Sequence, residues 1–415
     1  MNLGQLPEGA NRRLEGLLGE PAVARLLSVL NGDGEETRIV GGAVRNTLLG
    51  EPVTDVDCAT TAPPKVTAAR ARRAGFKVVP TGLEHGTVTV IIDGQPFEVT
   101  TLREDVETDG RRAVVRFGRD FTADARRRDF TINALGLSAD GRLHDDVGGL
   151  ADLAARRLRF IGDPASRIAE DYLRILRFFR FHARYGVGAL DPDGLHAAIV
   201  ARDGLSRLSR ERVRVEILKL LVAPRAGAVL SDMAQAGFLT LFLGGVPHLA
   251  AFERLASIEQ QAGLPPDPVA RLAVLAVRVE EDATRLRERL RLSNNEGQAL
   301  LRAAQACECV GGGWPWGNRA LADLCGATAA LVARCARGEG FGDLVPLLTG
   351  TESLPAFPWR GSDLIAAGLP RGPAISGTLA RLQDAWRQAG LPVEAQALDS
   401  IFSEVLAQAR SREQP

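Results

Sequence analysis

The chain has 415 residues, of which 45% are apolar and 25% charged, and its 51 basic and 51 acidic side chains leave a formal net charge of zero. This mix excludes a disordered or collagen-like polypeptide, no apolar run approaches the ~20 residues of a membrane helix, and the length suggests about two to four domains. Neutrality also argues against a nucleic-acid partner, which ordinarily brings a basic excess. The opening stretch MNLGQLPEGANRRLEG lacks the apolar core of a signal peptide. Five scattered cysteines, Cys58, Cys307, Cys309, Cys325 and Cys335, are too few for a disulfide framework. Cys307 and Cys309 have no second pair at zinc-ligand spacing, so packing roles and a cytoplasmic location are expected.

The neutral average conceals two asymmetries. Only Lys65, Lys77 and Lys219 are lysines; the other 48 basic residues are arginine. Residues 151–220 carry a net +5, against −3 for residues 1–150 and −2 for residues 221–415.

In chain order, residues 37–102 read as mixed α and β. Ile39-Val40 ends a strand, and Gly41-Gly42 permits a turn whose amides can approach phosphate oxygens. Arg45 follows in the first turn of a helix, within reach of an anion. Asp55 and Asp57 stand two apart, which on a strand puts both carboxylates on one face. Convergent carboxylates suit Mg²⁺ and a two-metal clamp, and Glu98 on a later strand can supply a third. VTAARARRA, between Pro64 and Gly75, reads as a helix. Thr87–Val90 and Phe97–Thr100 alternate polar and apolar residues around Asp93-Gly94, as a hairpin would. Residues 103–128 are dominated by Arg, Asp and Glu and read as a charged loop. From about residue 151 onward helical patterns dominate, for example Glu211–Val222, Asp267–Leu292 and Ala374–Ala389. The expected fold class is α+β: a mixed-sheet head followed by helical domains.

The segment after residue 163 reads as an unusual helix. At 100° per residue, Ile168, Tyr172, Ile175, Leu176 and Phe179 form an apolar stripe. Glu170, Asp171, Arg174, Arg177, Arg180 and Arg184 fan over the other side, interrupted by Leu173, Phe178 and Phe181. Such a helix does not simply face water; its arginines are expected in a cleft.

IVGGAVRNTLLGEPVTDVDCAT resembles the signature of the class II tRNA nucleotidyltransferase and bacterial poly(A) polymerase family, a branch of the polymerase-β-like nucleotidyltransferases. TGLEHGTVTV with FEVTTLR, then Arg128-Asp129 within RRDFTINAL, IGDPASRIAEDYLRILRFFRF and SRERVRVE match further motifs of that family in order. The likeness is strong over about residues 37–220 and thinner to the C-terminus. It implies a nucleotidyltransferase head over 1–150, a base-recognising helical neck over 151–222, a helical body over 223–345 and a tRNA-contacting tail over 346–415.

The resemblance further implies attack of an RNA 3′-hydroxyl on the α-phosphate of a nucleoside triphosphate. Asp55 and Asp57 would hold Mg²⁺, with Glu98 as third catalytic carboxylate. Gly41, Gly42, Arg45 and Arg128 would contact the triphosphate and Asp129 the ribose. Asp171 and Arg174 would hydrogen-bond the base edge, and Arg177 and Arg180 would contact phosphate or brace that template. The implied partners are a tRNA 3′ end with CTP and ATP as substrates, and neither a membrane nor an obligatory protein partner. The charged segment Arg103–Arg119 corresponds to the family's flexible loop, which favours addition of C, C and A over a CC-only activity.

Three features depart from or distract from that pattern. Asn46 stands where the family usually has Asp, and Cys58 replaces an aliphatic residue. His144-Asp145 resembles a metal-dependent phosphohydrolase pair, but no matching set follows. A poly(A) polymerase is the nearest alternative. Such enzymes tend to carry an arginine-rich strand in place of Thr81–Gly86 and a basic C-terminal extension in place of SREQP. A catalytically silent RNA-binding protein on the same scaffold is the other.

Overall fold

The computed structural model describes residues 6–82, 86–104 and 116–411. The chain divides into two compact units, residues 1–207 and 208–415. The division falls inside the 151–222 segment that the sequence groups as a neck.

The first unit opens with two helices, α1 (Glu8–Gly19) and α2 (Pro21–Leu30), and then forms strand β1 (Thr37–Val40), α3 (Gly42–Leu49), β2 (Val56–Thr60) and α4 (Pro64–Arg73). β3 (Lys77–Gly82), β4 (Thr87–Ile92) and β5 (Gln95–Thr101) follow. Two short strands, β6 (Arg103–Glu104) and β7 (Arg116–Phe117), pair with each other, and β8 (Gly136–Ser138) and β9 (Leu143–His144) complete a seven-stranded sheet in the order β3-β4-β5-β2-β1-β8-β9. Its pairs are antiparallel except for β2 and β5, which run parallel. The β4–β5 hairpin turns at Asp93-Gly94, both with positive φ (49° and 85°), the backbone a two-residue hairpin of matching twist requires.

The charged stretch after residue 102 differs from the expected loop. Residues 105–115, most of the segment assigned to the family's loop, lie outside the described residues. Beyond them, Phe121–Arg126 is a helix, α5, because Asp120 caps it by accepting from Thr122 N (2.8 Å) and Ala123 N (3.2 Å). Phe121 packs on Val40, Ala59 and Leu102, so this stretch contributes to the core.

Helices α6 (Gly149–Ala154), α7 (Pro164–Glu170), α8 (Leu173–Tyr185) and α9 (Pro192–Val200) complete the unit. The expected single helix is therefore two. Asp171 takes an extended backbone (φ −154°, ψ 107°) and ends α7, and its Oδ1 accepts from Leu173 N (3.1 Å) to start α8. Leu173, Phe178 and Phe181 are buried along with Ile175, Leu176 and Phe179, so α8 is enclosed nearly all round. Phe130, Phe160, Phe178 and Phe181 stack with centroid spacings of 4.9–6.4 Å, locking α8 against the Arg128-Asp129-Phe130 segment.

The second unit is helical throughout its described residues. The stretch 267–292 breaks at Val277–Val279 into helices Pro268–Ala276 and Glu280–Leu290. Arg271 is buried in a pair with Glu259 (2.7 Å) and also donates to Leu221 O (2.7 Å). No helix of the described residues is long and apolar enough to cross a membrane. The cysteines are free; burial, then the nearby Asp57 carboxylate, pushes the Cys58 thiol up to about 12, consistent with packing.

Candidate active site

The end of β1 delivers the chain to a glycine turn. Gly41 has φ +70°, and a Cβ there would lie 3.0 Å from Arg128 Nη1 and 3.4 Å from Asn133 O, so only glycine fits both the backbone and the space. The turn leads into α3, and next to it β2 and β5 run in parallel register, with Asp57 opposite Glu98. Val56 and Cys58 beside Asp57, and Phe97 and Val99 beside Glu98, are buried. Strand alternation therefore puts both carboxylates on the opposite, open face. Asp55 lies one residue before β2 begins, not on the strand, and accepts from Thr54 Oγ1 (3.0 Å). Even so, the three carboxylates interact: the Asp57 carboxyl is held above its ordinary range by desolvation, then by repulsion from Glu98 and Asp55, with Arg128 opposing.

A cavity of about 420 Å³ opens over this face. Its wall contains nine of the predicted residues, Gly41, Gly42, Arg45, Asp57, Arg128, Asp129, Asp171, Arg174 and Arg177, together with Asn133 and Phe181. β1, β2, α3, α5, α8 and the Asp171 break thus converge, although the residues span more than a hundred positions of sequence. Asp55, Glu98 and Arg180 stand outside that wall; Arg180 lies over the Phe181 ring at 4.2 Å.

The arginines of the wall and Asp129 are held by neighbours. Arg128 donates to Asp124 Oδ2 (3.1 Å) and Asn133 O (3.3 Å). Asp129 accepts from Asn133 Nδ2 (3.0 Å) and from Arg177 Nε (2.7 Å). Arg174 pairs with Glu170 and donates to Arg167 O (2.9 Å). Arg45 is buried, and donates to Asn133 Oδ1, Asn46 Oδ1 (2.9 Å) and the Tyr185 hydroxyl (2.7 Å). The guanidiniums of Arg45 and Arg177 also lie 5.4 and 5.0 Å from the Phe181 ring, a cation–π arrangement.

Asn133 and Tyr185 were not singled out from sequence, and Phe181 was noted only as an apolar interruption of the arginine face, not as a site residue. Phe181 and Tyr185 follow Arg177 at steps of four, so extending the arginine face of α8 by two turns would have found them. Asn133 lies in a 3₁₀ turn, Thr131–Asn133, where no periodic signal points.

Other candidates have structural roles. His144 Nε2 lies 3.1 Å from Ser138 Oγ, and Asp145 accepts from Gly149 N (2.7 Å) and Leu150 N (2.9 Å). A larger open cavity of about 620 Å³ in the second unit is lined by Arg210, Arg287 and Arg291 with Glu211 and Glu288. Arg291 pairs with Glu211 (3.3 Å) and Arg210 donates to Glu288 O (3.0 Å), and the lining contains neither a glycine turn nor a carboxylate pair on adjacent strands.

The family described as "Poly A polymerase head domain" matches residues 37–159, and that described as "Probable RNA and SrmB- binding site of polymerase A" matches residues 189–253. The chain is 36% identical over 380 residues to the CCA tRNA nucleotidyltransferase 1, mitochondrial, of Danio rerio, covering 89% of this chain and 87% of the relative. It is 32% identical over 412 residues to the CCA-adding enzyme of Limosilactobacillus fermentum, covering 95% and 99%. Among solved structures, the Bacillus stearothermophilus CCA-adding enzyme in complex with CTP superposes with a TM-score of 0.70 at 28% identity, over 97% of this chain and 99% of that one. With identity of this degree running along nearly its whole length, the chain belongs to the CCA-adding tRNA nucleotidyltransferase family.

Proposed function

We propose that this protein adds C, C and A in turn to the 3′ end of tRNA, taking them from CTP and ATP and releasing pyrophosphate. The observation that carries the reading is the single cavity. It combines a side-chain-free glycine turn, four arginines, and a carboxylate whose proton affinity is raised by desolvation and then by its like-charged neighbours. Relatives along the full length are named for the same activity.

The carboxylates fit a divalent metal. Asp57 and Glu98 are side by side, Asp55 is close enough to raise the Asp57 proton affinity, and a cation would relieve that repulsion. Among the described residues no three His, Cys, Asp or Glu side chains close on one point. An ion held here would complete its shell with water and phosphate oxygens, as Mg²⁺ ordinarily does. Asp55 and Asp57 would hold it, with Glu98 beside them. Bound there, Mg²⁺ would make the RNA 3′-hydroxyl more acidic and offset charge on the departing pyrophosphate.

The remaining work falls to the chain's own groups. Gly41 and Gly42 leave their amides open to phosphate oxygens, while Arg45 and Arg128 supply positive charge at the same wall. Asp171 accepts from the exocyclic amine that C and A share, and Arg174 donates to ring nitrogen or carbonyl. U and G would not match those half-buried groups, a penalty that favours C and A. Asp129, held in the same wall by Arg177 (2.7 Å), would meet the ribose there, and Arg180 braces Phe181. In this reading residues 1–150 act as head, 151–222 as neck, 223–345 as body and 346–415 as tail. Free cysteines suit a reducing compartment such as the cytoplasm.

Incubating the protein with tRNA lacking its CCA end, Mg²⁺, and CTP and ATP separately and together tests the proposal. Growth by three nucleotides that then stops is expected. A long A tail would assign it to poly(A) synthesis instead, stopping after CC would mean a split activity, and binding without extension would mean a silent scaffold.

A further inference from the structure

The C-terminal turn of α8 grips α3 at two points. Arg184 pairs with Glu51 (2.8 Å) just past the end of α3. One residue on, the buried Tyr185 hydroxyl accepts from Arg45 Nη2 (2.7 Å) and donates to Asn46 Oδ1 (3.2 Å). Asn46 Oδ1 also accepts from Arg45 Nε (3.1 Å) and Nη2 (2.9 Å), and its Nδ2 donates to Pro52 O (3.0 Å), which fixes the amide orientation. Asn133 Oδ1 accepts from Arg45 on the pocket side.

This arrangement is unusual for a buried arginine. Burial of a guanidinium is ordinarily matched by a carboxylate. Arg45 is only 6% exposed, yet every hydrogen-bond acceptor on it among the described residues is neutral. The two nearby carboxylates are committed elsewhere, Glu51 to Arg184 and Asp129 to Arg177. The guanidinium lies in the cavity wall beside the glycine turn with no carboxylate hydrogen-bonded to it among the described residues, and Glu51 acts on it only through space.

We propose that Tyr185 and Asn46 are positioning residues: together they hold the Arg45 guanidinium in the cavity wall through neutral hydrogen bonds, reserving its full charge for the phosphates of the incoming nucleotide. The inference rests on the reading that this cavity receives the triphosphate. A carboxylate at position 46, which the family's motif usually carries, would fix Arg45 equally well but would take up part of its charge, so the amide is a departure particular to this chain. A phenylalanine at 185 would keep the ring, which lies 4.1 Å from the Arg45 carbon, and remove the hydroxyl that joins α8 to the arginine. Because the device acts on phosphate, it is indifferent to the base.

The test is equilibrium binding of inorganic tripolyphosphate to the full chain without added metal, comparing wild type with Arg45→Gln, Tyr185→Phe, Asn46→Asp and the Arg45→Gln/Tyr185→Phe pair. Tyr185→Phe is expected to weaken binding by about tenfold or more, the ratio that follows from losing one hydrogen bond to a charged group. Asn46→Asp should weaken it by a similar factor and flatten its dependence on ionic strength. The paired variant should bind no more weakly than Arg45→Gln alone, since Tyr185 acts through Arg45. In turnover, KM should rise by the same factor for CTP and ATP with the order of addition unchanged.

Wild-type affinity in Tyr185→Phe or Asn46→Asp, or losses that multiply in the paired variant, would overturn the positioning role while leaving the cavity assignment standing. Unchanged binding in Arg45→Gln would instead overturn the cavity assignment, and this inference with it. Asn46→Asp preserves shape and volume, so it decides the matter if Tyr185→Phe does not fold.

Discussion

Asp57 sits where desolvation and charge repulsion cost stability. Its carboxyl is raised above the ordinary range by desolvation first and by Glu98 and Asp55 next. A carboxyl with a raised value in the folded state favours folding most when protonated. Its contribution is therefore present in acid and falls away as pH climbs from the unfolded-chain value through the folded one. Asp57→Asn should then raise the melting temperature at neutral pH slightly, on the order of 1–3 °C, while abolishing nucleotide addition. Mg²⁺ should stabilise wild type against heat more than this variant. A melting temperature that falls, or turnover that persists, would remove the metal-holding role. Gly41 tests the opposite wall. In Gly41→Ala a methyl group would adopt a left-handed backbone at a cost of about 1–2 kcal/mol and press on Arg128 at 3.0 Å. The expected outcome is a lower melting temperature with at least tenfold weaker CTP and ATP binding, read by calorimetry and titration. Equal affinity in a destabilised protein would mean that the turn is architectural only.

The break between α7 and α8 gives Asp171 a capping task, beside the base-reading one proposed for it, that sequence periodicity could not separate. A 100° wheel placed Ile168, Tyr172, Ile175, Leu176 and Phe179 on one stripe, and all but the half-buried Tyr172 are buried; the wheel carried straight across a break it had no means of detecting. The break depends on one backbone dihedral pair and one side-chain cap. Those are local choices that a pattern of apolar residues does not encode, whereas the β4–β5 hairpin was legible because Asp93-Gly94 is itself the turn chemistry. The carboxylate pair on β2 and β5 was legible only as residues, since their adjacency comes from a parallel pairing of strands some forty residues apart. Asn133 and Tyr185 escaped because each acts through Arg45, and a positioning residue leaves no motif of its own. The double role of Asp171 can be separated. Asp171→Asn keeps the Oδ1 acceptor for Leu173 N, so its melting temperature should stay near wild type while exclusion of U and G relaxes. Asp171→Ala loses the cap as well, at about 1 kcal/mol. Thermal melting and misincorporation from UTP and GTP measure the two effects. An Ala variant as stable as wild type would dismiss the cap, and an Asn variant as selective as wild type would dismiss the template. Arg174→Ala should relax selection in the same way while leaving triphosphate binding within a few-fold.

The zero net charge of the chain first argued against a nucleic-acid partner, and that inference fails because the arrangement of charge, not its sum, meets the ligand. A balanced molecule has little long-range pull on RNA, yet residues 151–220 hold a net +5 and contribute Arg174 and Arg177 to a wall shared with Arg45 and Arg128. Single-stranded phosphates neutralised at such a cluster release counterions, with log affinity falling by roughly 0.7 per contact for each tenfold rise in salt. Binding of tRNA should accordingly weaken about tenfold or more between 50 and 200 mM KCl, as steeply as for a basic protein making the same few contacts. Two single-charge substitutions separate local from global charge. Arg128→Gln, within that wall, should lower the slope by about 0.7. Glu15→Gln, at an exposed position of α1, moves net charge by the same amount in the other direction and should leave the slope unchanged. A slope that follows net charge in both variants would return the weight to the molecule's total charge, and a flat salt response would mean that the RNA end is held by hydrogen bonds and stacking alone.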